Sequence, residues 1–432
     1  MRIKLTTLLF LTLVLFFIRG AATKYLAISQ IAFSYDEPDY VANSILFSEF
    51  HFGVSPNSSF WSQQWAYDQP HLYHFLCALF LESKYRKSIT TILDQSQLNQ
   101  RYAYGSPLII FEKTGNNKII TDPDNASYQP AYQTILIARE LSFFFYLASG
   151  LILLSIIFFF CHPILAIPVT FFYLHPYFFS ISSLAQADGL LILLTLINTL
   201  LSLVYIKFPK QRFPLAILLG ISCGLALSTK LNGGITLINS IICIWTVFSS
   251  KSKSTTITPP LYSILIILLT FIIFVWLNPY TYSNPIQKIF TMFQYRLDIG
   301  ITSKLIHPDE TIPPNFTHRI LTVFENLYHQ TNQTPLFSLI LSSFSTIVSL
   351  LYIFLIFIKK IQIKPTTIFL LVSSTFSFYV VLVYIPMTWN RYYYPAIIAN
   401  LFMTASVINI SINLLQKHLI NNKNRHHHRL IF

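Results

Sequence analysis

Ten stretches of this 432-residue chain run for roughly 17–23 residues with almost no charge, about the length a helix needs to cross a bilayer. They fall near 5–22, 141–161, 164–183, 189–206, 213–229, 233–249, 261–277, 336–358, 367–385 and 396–415. In hydrocarbon every backbone N–H and C=O must be paired within its own segment, so the expected class is an all-α polytopic membrane protein. Composition agrees. Only 10% of residues are charged against about 25% in an average soluble domain, and mean hydropathy is +0.55. That excludes a disordered chain, a coiled coil and an ordinary cytosolic enzyme. The net charge of +13 alone would fit a nucleic-acid binder, but in so apolar a chain it reads as a topology signal and no nucleic-acid partner is expected.

Placing the N-terminus inside and alternating sides puts 14 basic residues on inner segments: Arg2, Lys4, Lys207, Lys210, Arg212, Lys251, Lys253, Lys359, Lys360, Lys364, Lys417, Lys423, Arg425 and Arg429. All 16 acids fall on outer loops or outer helix ends. The short inner loops carry the lysine and arginine bias that orients membrane proteins, so both termini are expected in the cytoplasm. The first run also has the form of a signal peptide, with Gly20-Ala21-Ala22 as a small-residue cleavage site. An uncleaved anchor is the preferred expectation.

The whole chain, 1–432, reads as one membrane domain. A long first outer loop spans 23–139, a second spans 278–335, and a short basic inner tail covers 416–432. Loops of that length are functional or carry helices of their own. Of four cysteines only Cys77 lies in an outer loop, so no outer disulfide forms within the chain, and neither zinc spacing nor a Gly-rich phosphate loop occurs. Gly220 and Gly224 mark close helix packing.

The chemistry-bearing residues begin directly after the first run, at Asp36-Glu37-Pro38-Asp39-Tyr40. Crowded carboxylates raise the proton affinity of at least one of them, as a general base near neutral pH requires. Acids beside a proline equally fit the N-terminus of a helix. Next, Asp68-Gln69-Pro70-His71-Leu72-Tyr73-His74 leads into an apolar stretch too short to span, which fits an interfacial helix. Asp68, His71 and His74 recur every third residue. A divalent cation is conceivable there, and a polar rim on the interfacial helix is the expected reading. Arg139, Asp188, Lys230 and Arg391 then sit at ends of apolar runs, all on the outer boundary. Ionisable groups so close to hydrocarbon are functional candidates. Phosphate headgroups would account for Arg139 and Arg391 as well.

These residues resemble those of the GT-C glycosyltransferases, in particular the superfamily of protein O-mannosyltransferases and aminoarabinose transferases. Asp36-Glu37-Pro38-Asp39-Tyr40 matches its Asp-Glu-x-x-Tyr, and the block at Tyr67–Leu76 resembles its aromatic-acid-Lys-Pro-Pro-Leu block. Ala138-Arg139-Glu140-Leu141-Ser142 is similar to its Ala-Arg-x-x-Ser. Gly224–Lys230 resembles its Gly-Leu-Ala-x-x-Thr-Lys, and Arg391-Tyr392 with Pro395 its Arg-Tyr-x-x-Pro. Gln69 and His71 depart from the pattern, standing where it has Lys and the second Pro. About 50 residues from Ser83 to Gln133 look inserted.

The resemblance implies a GT-C fold whose long first outer loop carries interfacial helices, with the anchor retained because it leads straight into Asp-Glu. It implies transfer of a sugar, with inversion, from a polyprenyl-phosphate donor to a hydroxyl of a glycan, lipid or protein on the outer face. Asp36 would be the base, with Glu37 and Asp188 as supporting acids. Arg139, Lys230 and Arg391 would contact the donor phosphate, and Tyr40, Asp68, Gln69 and His71 would contact substrate. No metal site is assigned. The competing classes are a transporter and a lipid-linked glycan flippase or polymerase. A transporter places charges at mid-membrane, often within inverted repeats, and neither feature is found here.

Overall fold

The computed structural model describes residues 2–31, 36–51, 61, 69–96, 112–114, 118–120, 129–249, 259–306, 308–327, 335–358, 361, 363–385, 387 and 390–429. These are helical apart from a small antiparallel hairpin, Glu112–Thr114 with Lys118–Ile120, and one isolated bridge between Thr311 and Met387. Among them, nine helices are long and apolar enough to cross a membrane, or ten if one bent pair counts as a single span.

The first span is α1, Arg2–Tyr25. It runs unbroken through Gly20-Ala21-Ala22, and buries Phe17 and Ala21 against the bundle. Two short helices, α2 (Glu37–Ala42) and α3 (Leu46–His51), follow, then α4 (Leu72–Tyr85) and α5 (Ile89–Ser96). The second span, α6, covers Gln129–Phe160, 32 residues in all. It starts about three turns earlier than its apolar run, so Arg139 sits inside a helix rather than ahead of one.

The run expected as one continuous span at 164–183 is instead a pair, Pro163–Tyr173 and Pro176–Ser183, bent by 66°. Pro176 has no N–H to donate and disfavours helical backbone at His175, which adopts φ −61°, ψ 141°. The His175 ring then caps the second half, its Nδ1 accepting the Tyr177 N–H at 3.2 Å.

The remaining spans are Ala187–Lys207 (α9), Arg212–Leu227 (α10), Ile235–Ser249 (α11), Pro259–Leu277 (α12), Pro335–Phe357 (α15), Pro365–Tyr384 (α16) and Asn390–Arg429 (α17); α7 (Ala166–Tyr173) and α8 (Pro176–Ser183) are the helical parts of the bent pair. The stretch between α12 and α15 carries α13 (Pro285–Ile306) and α14 (Phe316–Asn326).

The glycine pair packs helices closely, as its spacing predicts. A Cβ on Gly220 would stand 2.7 Å from Leu269 Cβ, and one on Gly224 2.6 Å from Ile273 Cβ, so α10 and α12 touch where both glycines lie. Polar side chains add interhelical bonds. Asn198 Nδ2 on α9 reaches Ser222 Oγ on α10 at 2.9 Å and Ser240 Oγ on α11 at 3.0 Å.

Buried apolar side chains form a main core among the spans and a second core at one end of the bundle. The second core joins α2 to α5 with the first turns of α6 and α9 and the last turns of α10 and α12. It is this smaller core that fixes the candidate site.

Candidate functional site

Asp36, Glu37 and Asp39 are adjacent in sequence yet lie in three environments. Pro38 and the acids start α2, as such residues favour. The Asp36 carbonyl accepts the Tyr40 N–H at 3.0 Å, whereas its carboxylate makes no capping bond and the residue is half-buried. Asp39 is exposed and Glu37 wholly buried.

Glu37 is sealed against Arg139. The Nε donates to Oε1 and Nη2 to Oε2, each at 2.7 Å, and neither side chain is exposed. Arg139 Nη1 donates to the Ile28 and Ile31 carbonyls at 3.0 and 2.8 Å. Glu37 Oε1 also accepts the Ala185 N–H at 2.7 Å. One buried two-pronged pair thus ties the end of the first span, α2, α6 and the turn before α9.

Asp188 and Lys230 pair beside it. Asp188 stands in the first turn of α9, and Lys230 in the turn between α10 and α11. The Nζ donates to Oδ1 at 2.7 Å, with the Lys230 and Asp188 side chains 20% and 9% exposed respectively. Among the described residues Asp188 Oδ2 has no hydrogen-bond partner. Burial pushes the ammonium pKa down. The Asp188 charge outweighs it, with help from the Asp188 hydrogen bond and from the nearby Tyr40 and Tyr392, so the net shift is upward and Lys230 stays cationic. The turn is tight. A Cβ on Gly233 would fall 2.2 Å from the Ala226 carbonyl oxygen, so only glycine fits there.

The start of α4 locks onto the same turn. The Leu72 N–H donates to the Ser228 carbonyl at 2.9 Å, and the His71 N–H to Asn278 Oδ1 at 3.2 Å. Asn278, just past the end of α12, donates through Nδ2 to the Phe274 carbonyl at 2.6 Å. Tyr40 Oη donates to Gln69 Oε1. The His74 ring stacks on Tyr40 with centroids 5.4 Å apart, and its Nδ1–H donates to the Tyr40 carbonyl at 3.0 Å. Burial lowers the His74 pKa to about 4, so the ring is neutral.

His71 and His74 do not form the polar rim expected of them. They are 0% and 2% exposed, and the His71 ring lies 5.4 Å from Trp61 and 5.9 Å from Phe75. Their helix buries the histidine face because Tyr40 of α2 lies against His74 and Trp61 against His71, leaving Leu79 outward. Asp68 and the Arg391 side chain lie outside the described residues. Among the described residues no three His, Cys, Asp or Glu side chains gather in a way that would hold a metal ion.

The structure therefore brings Glu37 to Arg139, Asp188 to Lys230, Tyr40 to Gln69, and His71 to the Ser228–Lys230 turn through Asn278. Asn278 and Ser228 were not singled out in the sequence. The signal for Asn278 is positional: Asn278-Pro279 ends an apolar run, where a helix terminus needs side-chain partners.

The family model described as dolichyl-phosphate-mannose-protein mannosyltransferase matches residues 40–287. No curated protein and no solved structure matches the chain. The matched stretch covers more than half of the sequence and holds Tyr40, Gln69, His71, Arg139, Asp188, Lys230 and Asn278. Asp36 and Glu37 fall just before it, and Arg391 after it. With the apolar helical bundle and the cation–carboxylate pairs at one end of it, the match shows that this chain belongs to the dolichyl-phosphate-mannose-protein mannosyltransferase family, membrane glycosyltransferases of GT-C type that use a polyprenyl-phosphate-linked sugar.

Proposed function

We propose that the protein transfers a sugar, with inversion, from a polyprenyl-phosphate donor to a hydroxyl of a glycan, lipid or protein at the outer membrane face. The supporting observation is the Lys230–Asp188 pair, a cation kept charged and partly open at the end of the bundle where the Asp36 turn also lies. In this reading the Asp36 carboxylate takes the proton from the acceptor hydroxyl as its oxygen attacks the anomeric carbon. The bond from that carbon to the phosphate oxygen breaks, and the electron pair leaves with the polyprenyl phosphate. Lys230, with Arg391, balances the charge that develops on the leaving phosphate.

Arg139 takes a different role from the one the resemblance implies. Its guanidinium engages Glu37 and two backbone carbonyls in full burial. We assign Arg139 and Glu37 as positioning residues that hold the Asp36 turn against α6 and α9. Tyr40, Gln69 and His71 shape the substrate side, and Asp68 belongs to the same group. The outer-face assignment, with both termini cytoplasmic, is supported by the 14 basic residues and absence of acids on the opposite segments.

The test is reconstitution in nanodiscs with radiolabelled polyprenyl-phosphate mannose and, in separate reactions, peptide, glycan and lipid acceptors. Label should pass to one acceptor class, and Asp36→Asn should stop it. Label that never leaves polyprenyl phosphate for mannose or any other sugar tried would defeat the reading.

A further inference from the structure

We infer that α13, the long helix between α12 and α15, is an interfacial helix seated in the leaflet surface beside the site. Its sequence places Ile286, Phe290, Phe293, Leu297, Ile301 and Leu305 at steps of three or four residues. At about 100° per residue these fall within an arc of roughly 120° on one side of the helix. Their exposures are 78%, 68%, 45%, 65%, 59% and 77%, so among the described residues nothing covers the stripe.

Continuity with the lipid-facing surface argues for the bilayer as the occupant. The helix begins eight residues after Leu277, the end of a span that exposes Leu268, Phe271, Ile272 and Trp276 outward. The start of α13 is held at that depth. Met292 is fully buried and Ile289 partly so in the end core with Phe274, Leu277 and Tyr280, and Lys288 Nζ lies 4.4 Å from the Tyr280 ring centroid. The apolar stripe thus extends the lipid-facing surface of α12 sideways along the boundary.

Charge argues the same way. The helix carries Lys288, Arg296 and Lys304 against a single acid, Asp298. That surplus complements anionic headgroups, and it would repel the equivalent helix of a second copy packed stripe to stripe. A length of 22 residues corresponds to about 33 Å, ample for such a seat. The inference is independent of the chemistry at Asp36 and Lys230.

Spin labels on single added cysteines test it in nanodiscs containing phosphatidylglycerol. The native cysteines are buried or half-buried, so the unsubstituted protein supplies the labelling background. Labels at Phe290→Cys and Leu297→Cys should be relaxed several-fold more by oxygen than by an aqueous nickel chelate. Labels at Asp298→Cys and Thr302→Cys, which fall outside that arc and are exposed, should show the reverse. Nickel preference at all four positions would overturn the inference. So would shielding of the stripe from both reagents with dipolar broadening between labels, which is the mark of a second copy. Each label reports only from protein that remains monodisperse, and the stripe positions are read independently of one another.

Discussion

Arg139 and Glu37 close on each other through two 2.7 Å hydrogen bonds, in a place where neither side chain meets solvent. The pair joins four pieces of chain, including the turn that presents Asp36. Removing one partner leaves the other as an uncompensated buried charge, which costs about 3–5 kcal/mol. Arg139→Ala and Glu37→Ala should each lower thermal stability in nanodiscs strongly. Arg139→Lys should rescue little, because an ammonium cannot make the two-pronged contact. The double variant should be less destabilised than the sum of the two single ones. Strict additivity would show that the pair is not coupled.

Asp36 should behave in the opposite way. Asn matches the carboxylate in size, and Asp36 is half-buried rather than sealed like Glu37, so Asp36→Asn should leave the melting temperature near that of the unsubstituted protein. Transfer should fall by about 10²–10⁴-fold, the range for loss of a general base. Full activity in Asp36→Asn would transfer the role to another residue.

These two predictions separate residues that sequence alone treated alike. The spans were legible because burying backbone in lipid leaves few options, and the glycine pair because close helix approach needs missing side chains. That Lys230 and Asp188 lie close to the start of α4 was legible too, since the three do meet at one end of the bundle. Partnership was not. Nothing in Ala138-Arg139-Glu140 says that Arg139 turns inward onto a carboxylate about 100 residues earlier, because the chain between them gives no periodicity to read. The burial of His71 and His74 was missed for a related reason. A helix next to a membrane is amphipathic with respect to whatever covers it, and here Tyr40 and Trp61 lie against the histidines. The bend at His175 was written in Pro176, but hydropathy averages over it.

His74 gives a pH dependence. Its folded pKa is about 4 against an ordinary 6.5, because burial disfavours the cation. Between those values the unfolded chain binds the proton and the folded one does not. Stability should therefore fall as pH drops from 6.5 to 4, by about 3 kcal/mol, and be unaffected by this group above 6.5. Guanidinium unfolding of the reconstituted protein at a series of pH values measures it. His74→Gln keeps a donor for the Tyr40 carbonyl without the titration, and its stability should vary less across this window. An unchanged slope would assign the effect elsewhere.

Orientation is tested by a reporter fused after Lys253. The inner-side charge surplus requires a cytoplasmic reading there, and an external one after Asn284, past the end of α12. The same side at both points would contradict α12 as a span, and exchanged sides would move the Asp36 turn to the cytoplasm.

The Lys230–Asp188 pair predicts how donor binding depends on pH. Burial alone would lower the Lys230 pKa, and the neighbouring carboxylate is what raises it. With Asp188 present, the ammonium should persist far into the alkaline range, so apparent donor affinity should stay flat as pH rises. Asp188→Asn keeps the shape and removes the charge. Desolvation then acts with much less opposition, the pKa falls, and affinity should decline at a lower pH than in the unsubstituted protein, because only the cation binds phosphate. Lys230→Ala should weaken donor binding at every pH and remove the difference, with acceptor KM little changed. Lys230→Arg combined with Asp188→Asn should hold affinity at alkaline pH, since guanidinium stays protonated without the carboxylate. Donor titrations of the unsubstituted protein and these three variants across pH decide the matter. A pH-independent donor KM in Asp188→Asn, equal to that of the unsubstituted protein, would mean that Lys230 does not meet the phosphate.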